Sequence, residues 1–358
     1  MRIFYKIYEN VGWLFMIDTV KIFTFISQES FEVIKRECDV KSMYSCSTGE
    51  IYYEIVSCSL SGSFDSRLSV WVSESSKYTR KGFLLEVEGS YHKIIRGHNA
   101  YDGFSNIVSI TQGFIKLIEN AYKIKLPRYK HWFLQRIDVT RVFDLKTNDN
   151  VKKYINYFRT LSYPRRNLKF YENESVYSNG QTTTLKIYNK LKEFEKNDMK
   201  KVWKKGFNVV KFCQKIDGYV RFECEIKKKK LLSVYKKKQF IRVSNLDYKE
   251  LENIWCKEFM KMLKFDLSEV KKVKEKDDVL NRLKFYYKER LACVLYNFYL
   301  SIKVDGYDNV KEYTNEATFY RKISQLKKAG IDFSGTYQIF DENSIIDFDP
   351  FCCDCEVI

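Results

Sequence analysis

"LQRIDVTRVFDL", residues 134–145, reads as a strand. Side chains alternate across a strand, so Ile137, Val139 and Phe143 are available to a core, while Arg136, Asp138 and Thr140 project from the opposite face. That face is either solvated or carries chemistry. Neighbouring segments have the same construction. In "LLEVEG", Glu86 and Glu88 stand opposite Leu85 and Val87. In "TLKIYNK", Lys186, Tyr188 and Lys190 stand opposite Leu185 and Ile187. In "YVRFECEI", Arg221, Glu223 and Glu225 stand opposite Val220, Phe222 and Cys224. If these strands are neighbours, one surface gathers Glu86, Asp138 and Glu223 around Tyr188.

Oxygen-rich carboxylate clusters suit a hard divalent ion, Mg²⁺ or Mn²⁺. Such an ion polarises a scissile phosphate. A tyrosine beside it can act as a covalent nucleophile, although a phenol with a pKa near ~10 is weak at neutral pH. Lys186 and Lys190 are expected to favour the phenolate. The competing reading of each acid is a surface residue or an ion-pair partner.

Strand-like segments recur from Met16 to about Ile226: "MIDTVKIFTFI", "EIYYEIVSCSL", "SRLSVWVS", "KGFLLEVEG", "TTTLKIYNK" and "GYVRFECEI". Helical stretches lie between them. "NIVSITQGFIKLIENAYKI" places Ile107, Ile110, Phe114, Leu117 and Ile118 at helical spacing, and "NDNVKKYINYFRTL" opens with Asn and Asp capping candidates. The mixture predicts an α+β fold built on a mainly antiparallel sheet. "KKKKLLSVYKKK", residues 227–238, marks a change, after which the pattern is helical. There "DDVLNRLKFYYKERLACVLYNFYLSIKVDG" reads as one helical stretch, and "NEATFYRKISQLKKAG" as a helix with Asn315 as its cap and Gly330 in C-cap position. Two helices joined through "DGYDNVKEYT" would form either a helix-turn-helix-like unit or an ordinary hairpin. No internal repeat stands out. The expected domains are an extension over 1–15, a sheet domain over 16–228, a helical domain over 229–340 and an acidic, cysteine-rich tail over 341–358. Met16 is itself a candidate translation start.

Lysine and arginine number 63 against 46 acids, a formal charge of +17. That excess, spread through a folding chain, points to nucleic acid rather than to a membrane. Aromatics make up 16%, enough for some to stack on unpaired bases while most fill the core. The ten cysteines form no paired CxxC motif, which fits reduced thiols in a cytoplasm. The tail "FCCDCEVI" offers three clustered thiols that could take a soft metal. No apolar run is long enough to span a bilayer.

"MIDTVKIFTFI", "LLEVEGSYHKIIRGHNAYDG", "QRIDVTRVF", "TTTLKIYNKLKEFEK" and "GYVRFECEIKKKKLLS" occur in the order and approximate spacing of the filamentous-phage gene II/gene X replication proteins and their plasmid relatives. The resemblance continues through "GYDNV" and "FYRKISQLKKAGI". It implies a nickase-type sheet domain followed by a mostly helical C-terminal domain. The implied activity is rolling-circle initiation: nicking of one origin strand, release of a 3′-OH for the host polymerase, and later rejoining of the displaced strand. The family's nucleophile lies in a Y-x-K motif that falls on Tyr188 and Lys190. The acids of RID and RFE fall on Asp138 and Glu223, and the acid before GHN falls on Glu86. Their role as ligands of Mg²⁺ or Mn²⁺ is an extension by analogy with other rolling-circle initiators. The paired-histidine metal motif of many such nickases is absent, since His92, His98 and His131 include no His-x-His pair.

Expected DNA contacts are Arg136, Lys186 and Arg221 on the sheet, His98 and Asn99 of GHN, and Arg321, Lys322, Lys327 and Lys328 on the last helix. His98 is alternatively a metal ligand, or part of a tight turn before a helix. Expected partners are duplex origin DNA, the displaced single strand, and a host helicase and polymerase, in a bacterial cytoplasm. Two other functions stay open: a non-catalytic DNA-binding regulator and a mobilisation relaxase.

Overall fold

The computed structural model describes residues 15–331, apart from 75–81, 102, 159–165, 167, 173, 268–275 and 330. Its strands are β1 (Met16–Ile26), β2 (Asp39–Tyr44), β3 (Ile51–Ser61), β4 (Arg67–Glu74), β5 (Phe83–Ser90), β6 (Phe133–Asp144), β7 (Leu168–Tyr171), β8 (Ser175–Asn179), β9 (Thr183–Asn189) and β10 (Tyr219–Lys227). They form one sheet in the order β2-β3-β4-β5-β1-β6-β10-β9-β8-β7. Every pairing is antiparallel. The expected α+β architecture is therefore present, with a helical C-terminal region after it.

The strand order contains a symmetry that the sequence does not display. β1 and β6 lie side by side at the centre. Each is followed by a helix, Gln28–Arg36 after β1 and Asn148–Tyr157 after β6. Each helix leads into four strands that return from the sheet edge, so that β5 closes on β1 and β10 closes on β6. Three strands, β2, β7 and β8, have no counterpart among the segments expected from the sequence. β2 is exposed along its whole length. An edge strand with no buried side shows no apolar alternation, which is the signal a strand is read from.

The apolar faces of the central strands form one core. Val20, Ile22, Val87, Ile137, Val139, Phe143, Ile187, Phe222 and Ile226 are almost wholly buried there, together with Ile107, Ile110, Phe114 and Ile118 of the helix Ile107–Tyr122. Leu117 of that helix is only partly buried. Asn106 caps it, accepting from the amides of Val108 and Ser109 at 2.9 and 3.3 Å. The helix after β6 is capped by Thr147 rather than by Asn148 or Asp149, through the Asn150 amide at 3.2 Å.

The core of the sheet runs on past residue 228. Leu231, Ile241, Val243, Leu251, Trp255, Phe259 and Met262 belong to the same cluster, so the lysine-rich stretch and the helix Tyr248–Leu267 pack with the sheet. A separate apolar cluster begins at Val279 and ends at Ile331. The stretch read as one helix divides into Lys276–Tyr286 and Glu289–Asp305. "DGYDNVKEYT" is not a bare turn but contains the helix Tyr307–Tyr313. In the last helix, Glu316–Lys328, Asn315 accepts from the Thr318 amide at 3.3 Å, as its reading as the cap requires, and Phe319, Ile323 and Leu326 face inward. Gly330 and the cysteine-rich tail lie outside the described residues. Among those described, no helix is long and apolar enough to cross a membrane.

Candidate active site on the sheet

Register puts the ionic residues on one face, because directly paired residues point to the same side of a sheet. Lys21 of β1 pairs with Glu88 of β5 and with Arg136 of β6. Asp138 and Thr140 pair with Glu225 and Glu223 of β10, and Glu223 and Arg221 pair with Lys186 and Tyr188 of β9. Tyr177 of β8 pairs with Lys186. The surface expected around Tyr188 is thus assembled from six adjacent strands, with Glu86 and Glu88 of β5 at its far end.

Within it the Tyr188 hydroxyl donates to Glu223 Oε2 at 2.9 Å. Lys186 Nζ holds the other oxygen of Glu223 at 2.7 Å and approaches Glu225 at 3.5 Å. Arg136 grips Asp138 through two hydrogen bonds of 2.8 and 2.6 Å, and reaches Glu88 at 2.9 Å and Glu225 at 3.4 Å. Lys21 lies 3.8 Å from both Glu86 and Glu88. The side chains of Lys21, Glu86, Glu88 and Arg136 are half-buried, whereas Asp138, Tyr188 and Glu223 are buried. Solvent therefore reaches the Lys21–Arg136 ladder, whereas the phenol, two strands away on β9, is buried.

The acids do not gather as a metal centre. Among the described residues, no group of three or more His, Cys, Asp or Glu side chains is placed to hold an ion. Glu86 meets Lys21 and Gln135, Asp138 meets Arg136, and Glu223 meets Lys186 and Tyr188. Glu86 stands in the row of Phe23, away from the Asp138–Glu225 row and across β1 from it. The donor set expected for Mg²⁺ or Mn²⁺ does not fit this arrangement.

The cations are also used differently from the sequence expectation. Lys190 is wholly buried, with its Nζ 2.6 Å from Asn99 Oδ1, paired with Glu193, and 5.9 Å from the centre of the Tyr188 ring. Burial pulls its pKa down to about 8, against the attraction of Glu193. The cation hydrogen-bonded to the phenol oxygen is Arg221, with Nη1 at 3.4 Å. Burial raises the Tyr188 pKa well above the ordinary value; Arg221 opposes the rise and Glu223 adds to it. The phenol is thus protonated at neutral pH, and its proton already points at a carboxylate. Burial likewise lifts Asp138, to about 8, with Arg136 pulling against it and Glu223 pushing with it.

Three of the residues expected on DNA are internal. Arg221 is 1% exposed and bonded to Asp18, and Asn99 donates to Asp18 at 2.8 Å. His98 follows Gly97, whose positive φ of 78° makes the tight turn, and its ring lies among Phe212, Tyr101, His92 and Phe207 at centroid distances of 4.7–5.9 Å. GHN thus forms a tight turn, but one that ends the helix Tyr91–Arg96 rather than one that precedes a helix. Glu88 and Glu225, which alternation already places on this face, complete the network together with Asp18 and Glu193, which nothing in the sequence marks as site residues.

Burial holds His98 down to about 3. The unfolded chain takes up a proton near pH ~6.5 that the folded chain refuses, so stability is full above that value and falls as pH drops toward 3. The loss is expected to approach about 1.4 kcal/mol per pH unit from this group. His98→Phe, which keeps an aromatic ring, should flatten the acid limb of stability against pH by close to one proton. An unchanged proton uptake on unfolding would contradict the assignment.

A phenol that donates to a carboxylate, with a guanidinium beside it, on the ionic face of a strongly basic protein, is a constellation suited to proton transfer and attack on an electrophile. Residues 16–245 match the family model that describes the N-terminal part of the phage gene II replication-associated protein. The match covers well over half of the chain, and the protein belongs to this family of phage gene II replication initiation proteins. No curated protein matches the chain.

Proposed function

We propose that the protein initiates rolling-circle replication by nicking one strand of its origin and later rejoining the displaced strand, with Tyr188 as the nucleophile. The observation that carries this reading is the Tyr188–Glu223 hydrogen bond of 2.9 Å. In nicking, the hydroxyl proton passes to Glu223, and the phenolate oxygen attacks phosphorus to form a 5′-phosphotyrosyl bond. The P–O3′ bond breaks, its electron pair leaves on the 3′ oxygen, and that oxygen takes a proton from water to give a free 3′-OH. Rejoining reverses the exchange: a 3′-OH gives its proton to water as its oxygen attacks the phosphotyrosyl phosphorus, the P–O bond to Tyr188 breaks, and the Tyr188 oxygen recovers the proton from Glu223. Because Tyr188 is only 8% exposed, strand binding has to open a path to it.

No step is routed through a metal. Divalent-ion dependence is a separate proposal, tested by running the reaction with Mg²⁺ or Mn²⁺ and then with chelator. The test of the function itself is incubation of the protein with supercoiled DNA carrying the intergenic region beside its gene. Conversion to nicked circles with protein attached at a 5′ end supports the enzyme. Tight binding without cleavage under every ion condition would support the non-catalytic regulator instead. Proposed partners are origin DNA, its displaced single strand, and a host helicase and polymerase that extend from the 3′-OH.

The last helix is proposed to add phosphate contacts through Arg321, Lys322, Lys327 and Lys328. Its apolar residues face inward, and Arg321 and Lys328 are exposed. Each phosphate contact on duplex DNA contributes ~0.9 to the slope of log affinity against log salt. Replacing Lys327 and Lys328 together by Gln should flatten that slope by about one to two units, with nicking at saturating protein little changed. An unaltered slope would place the binding surface elsewhere.

A further inference from the structure

Arg221 is an uneconomical residue if its role is structural. It is 1% exposed, in a sheet whose other face already supplies a continuous apolar core. A buried ion pair is often replaceable by apolar residues at no loss of stability, because desolvation offsets the attraction. Yet three groups hold this guanidinium. Asp18 Oδ2 accepts from Nη1 at 3.1 Å, the carbonyl of Asn99 accepts from Nη2, and the same Nη1 lies 3.4 Å from the Tyr188 oxygen.

Asp18 is fixed in turn. It accepts from Ser90 Oγ at 2.8 Å and from Asn99 Nδ2 at 2.8 Å to each carboxylate oxygen. Its position depends on a bulge. The register of β1 against β6 shifts between Ile17 and Val20, and Asp18 falls within the shift. β6 lies between β1 and β10 in the sheet, so the Asp18–Arg221 pair bridges over β6. Asn99 is anchored at its other end by Lys190 at 2.6 Å.

We infer that Arg221 is a catalytic residue that stabilises negative charge on the Tyr188 oxygen, and that Asp18 and Asn99 are the positioning residues that aim it. The inference rests on Tyr188 being the nucleophile. In nicking, Arg221 meets the oxygen as its proton passes to Glu223. In rejoining, it meets the same oxygen as the P–O bond to Tyr188 breaks and the electron pair returns to the phenolate. One group thus serves both directions of an exchange whose attacking and leaving atom is the same. Preorganised donors aimed at developing charge act strongly in a water-poor site.

The test uses the full-length protein and a labelled single-stranded origin oligonucleotide, with single-turnover nicking and rejoining measured separately. Arg221→Met is expected to slow both steps by on the order of 10²-fold, with oligonucleotide affinity near that of the unmodified protein and a lowered melting temperature, because Asp18 loses its buried partner. Asp18→Asn, the closest match in shape, should slow both by a smaller factor, and Asp18→Glu should recover part of that loss. The discriminating measurement places 3-fluorotyrosine at position 188. Its more acidic phenol needs less stabilisation, so it should restore nicking in Arg221→Met while changing the parent protein little. A fold defect would not be repaired in this way. If Arg221→Met is poorly folded, the Asp18→Asn protein with fluorotyrosine answers the same question. Nicking at the parental rate in both variants, or no recovery with fluorotyrosine, overturns the inference while leaving Tyr188 as nucleophile. Absence of nicking by the parent protein overturns the reading of the site and the inference together.

Discussion

Tyr188→Phe is expected to abolish nicking of supercoiled origin DNA while leaving binding intact. The substitution removes the nucleophilic oxygen and nothing else. Loss of a covalent nucleophile typically lowers turnover by on the order of 10³-fold or more. The ring stays in place, and Glu223 keeps its 2.7 Å bond to Lys186, so no bare charge is left in the interior. The hydrogen bond to Glu223 and the longer one from Arg221 are lost, each worth about 0.5–1.5 kcal/mol, and Arg221 keeps Asp18; the loss is too small to unfold the chain. Normal nicking by this variant would move the nucleophile elsewhere. Tyr177, paired with Lys186 on the same face, is the first alternative.

Glu223→Gln is expected to give the second largest effect. Gln keeps the shape and can still accept from the Tyr188 hydroxyl, but it cannot take the proton. General-base catalysis contributes roughly 10²–10⁴-fold, and nicking should fall by that factor with DNA affinity retained. Lys186 still has Glu225 at 3.5 Å. Hydroxide must then do the work of the carboxylate, so the residual rate of the variant should climb with pH more steeply than that of the parent protein. A Glu223→Gln protein that nicks at the parental rate would return Glu223 to the role of an ordinary ion-pair partner.

Much of this surface was legible in the sequence because a strand has a period of two. Alternation placed Arg136, Asp138, Lys186, Tyr188, Arg221 and Glu223 on one face, and the registers of β6, β9 and β10 agree. Alternation does not say how far along its strand each residue stands. Glu86 has the right face but the wrong row, so it joins Lys21 and Gln135 rather than Asp138. Nor does it foresee bulges. Counted back from Val20, Asp18 belongs with the core residues; the shift between Ile17 and Val20 turns it toward Arg221. A second shift, between Lys21 and Ile22, leaves Gln135 as the extra residue that reaches Glu86.

Ion-pair choice was hidden for a different reason. Lys186 and Lys190 flank Tyr188 in sequence, and proximity along the chain suggested that both would act on the phenol. Lys186 instead serves Glu223, and Lys190, the first residue of the helix Lys190–Asn197, is pulled to Asn99 and Glu193. The partner that reaches the phenol oxygen, Arg221, comes from the neighbouring strand. Long side chains choose partners by tertiary geometry, which one sequence does not specify. The two like halves of the sheet were invisible for a related reason: they share an order of strands, not a pattern of residues.

The most direct test of the central claim is to map the DNA-linked residue. The protein is allowed to nick a labelled single-stranded origin oligonucleotide, the covalent product is digested with trypsin and nuclease, and the peptide that retains a 5′ nucleotide is sequenced by mass spectrometry. Lys186 lies between Tyr177 and Tyr188, so trypsin separates the two. The account predicts the nucleotide on Tyr188, in the peptide that ends at Lys190. A nucleotide on Tyr177, on a serine or on any other side chain, or cleavage with no covalent product at all, would contradict it.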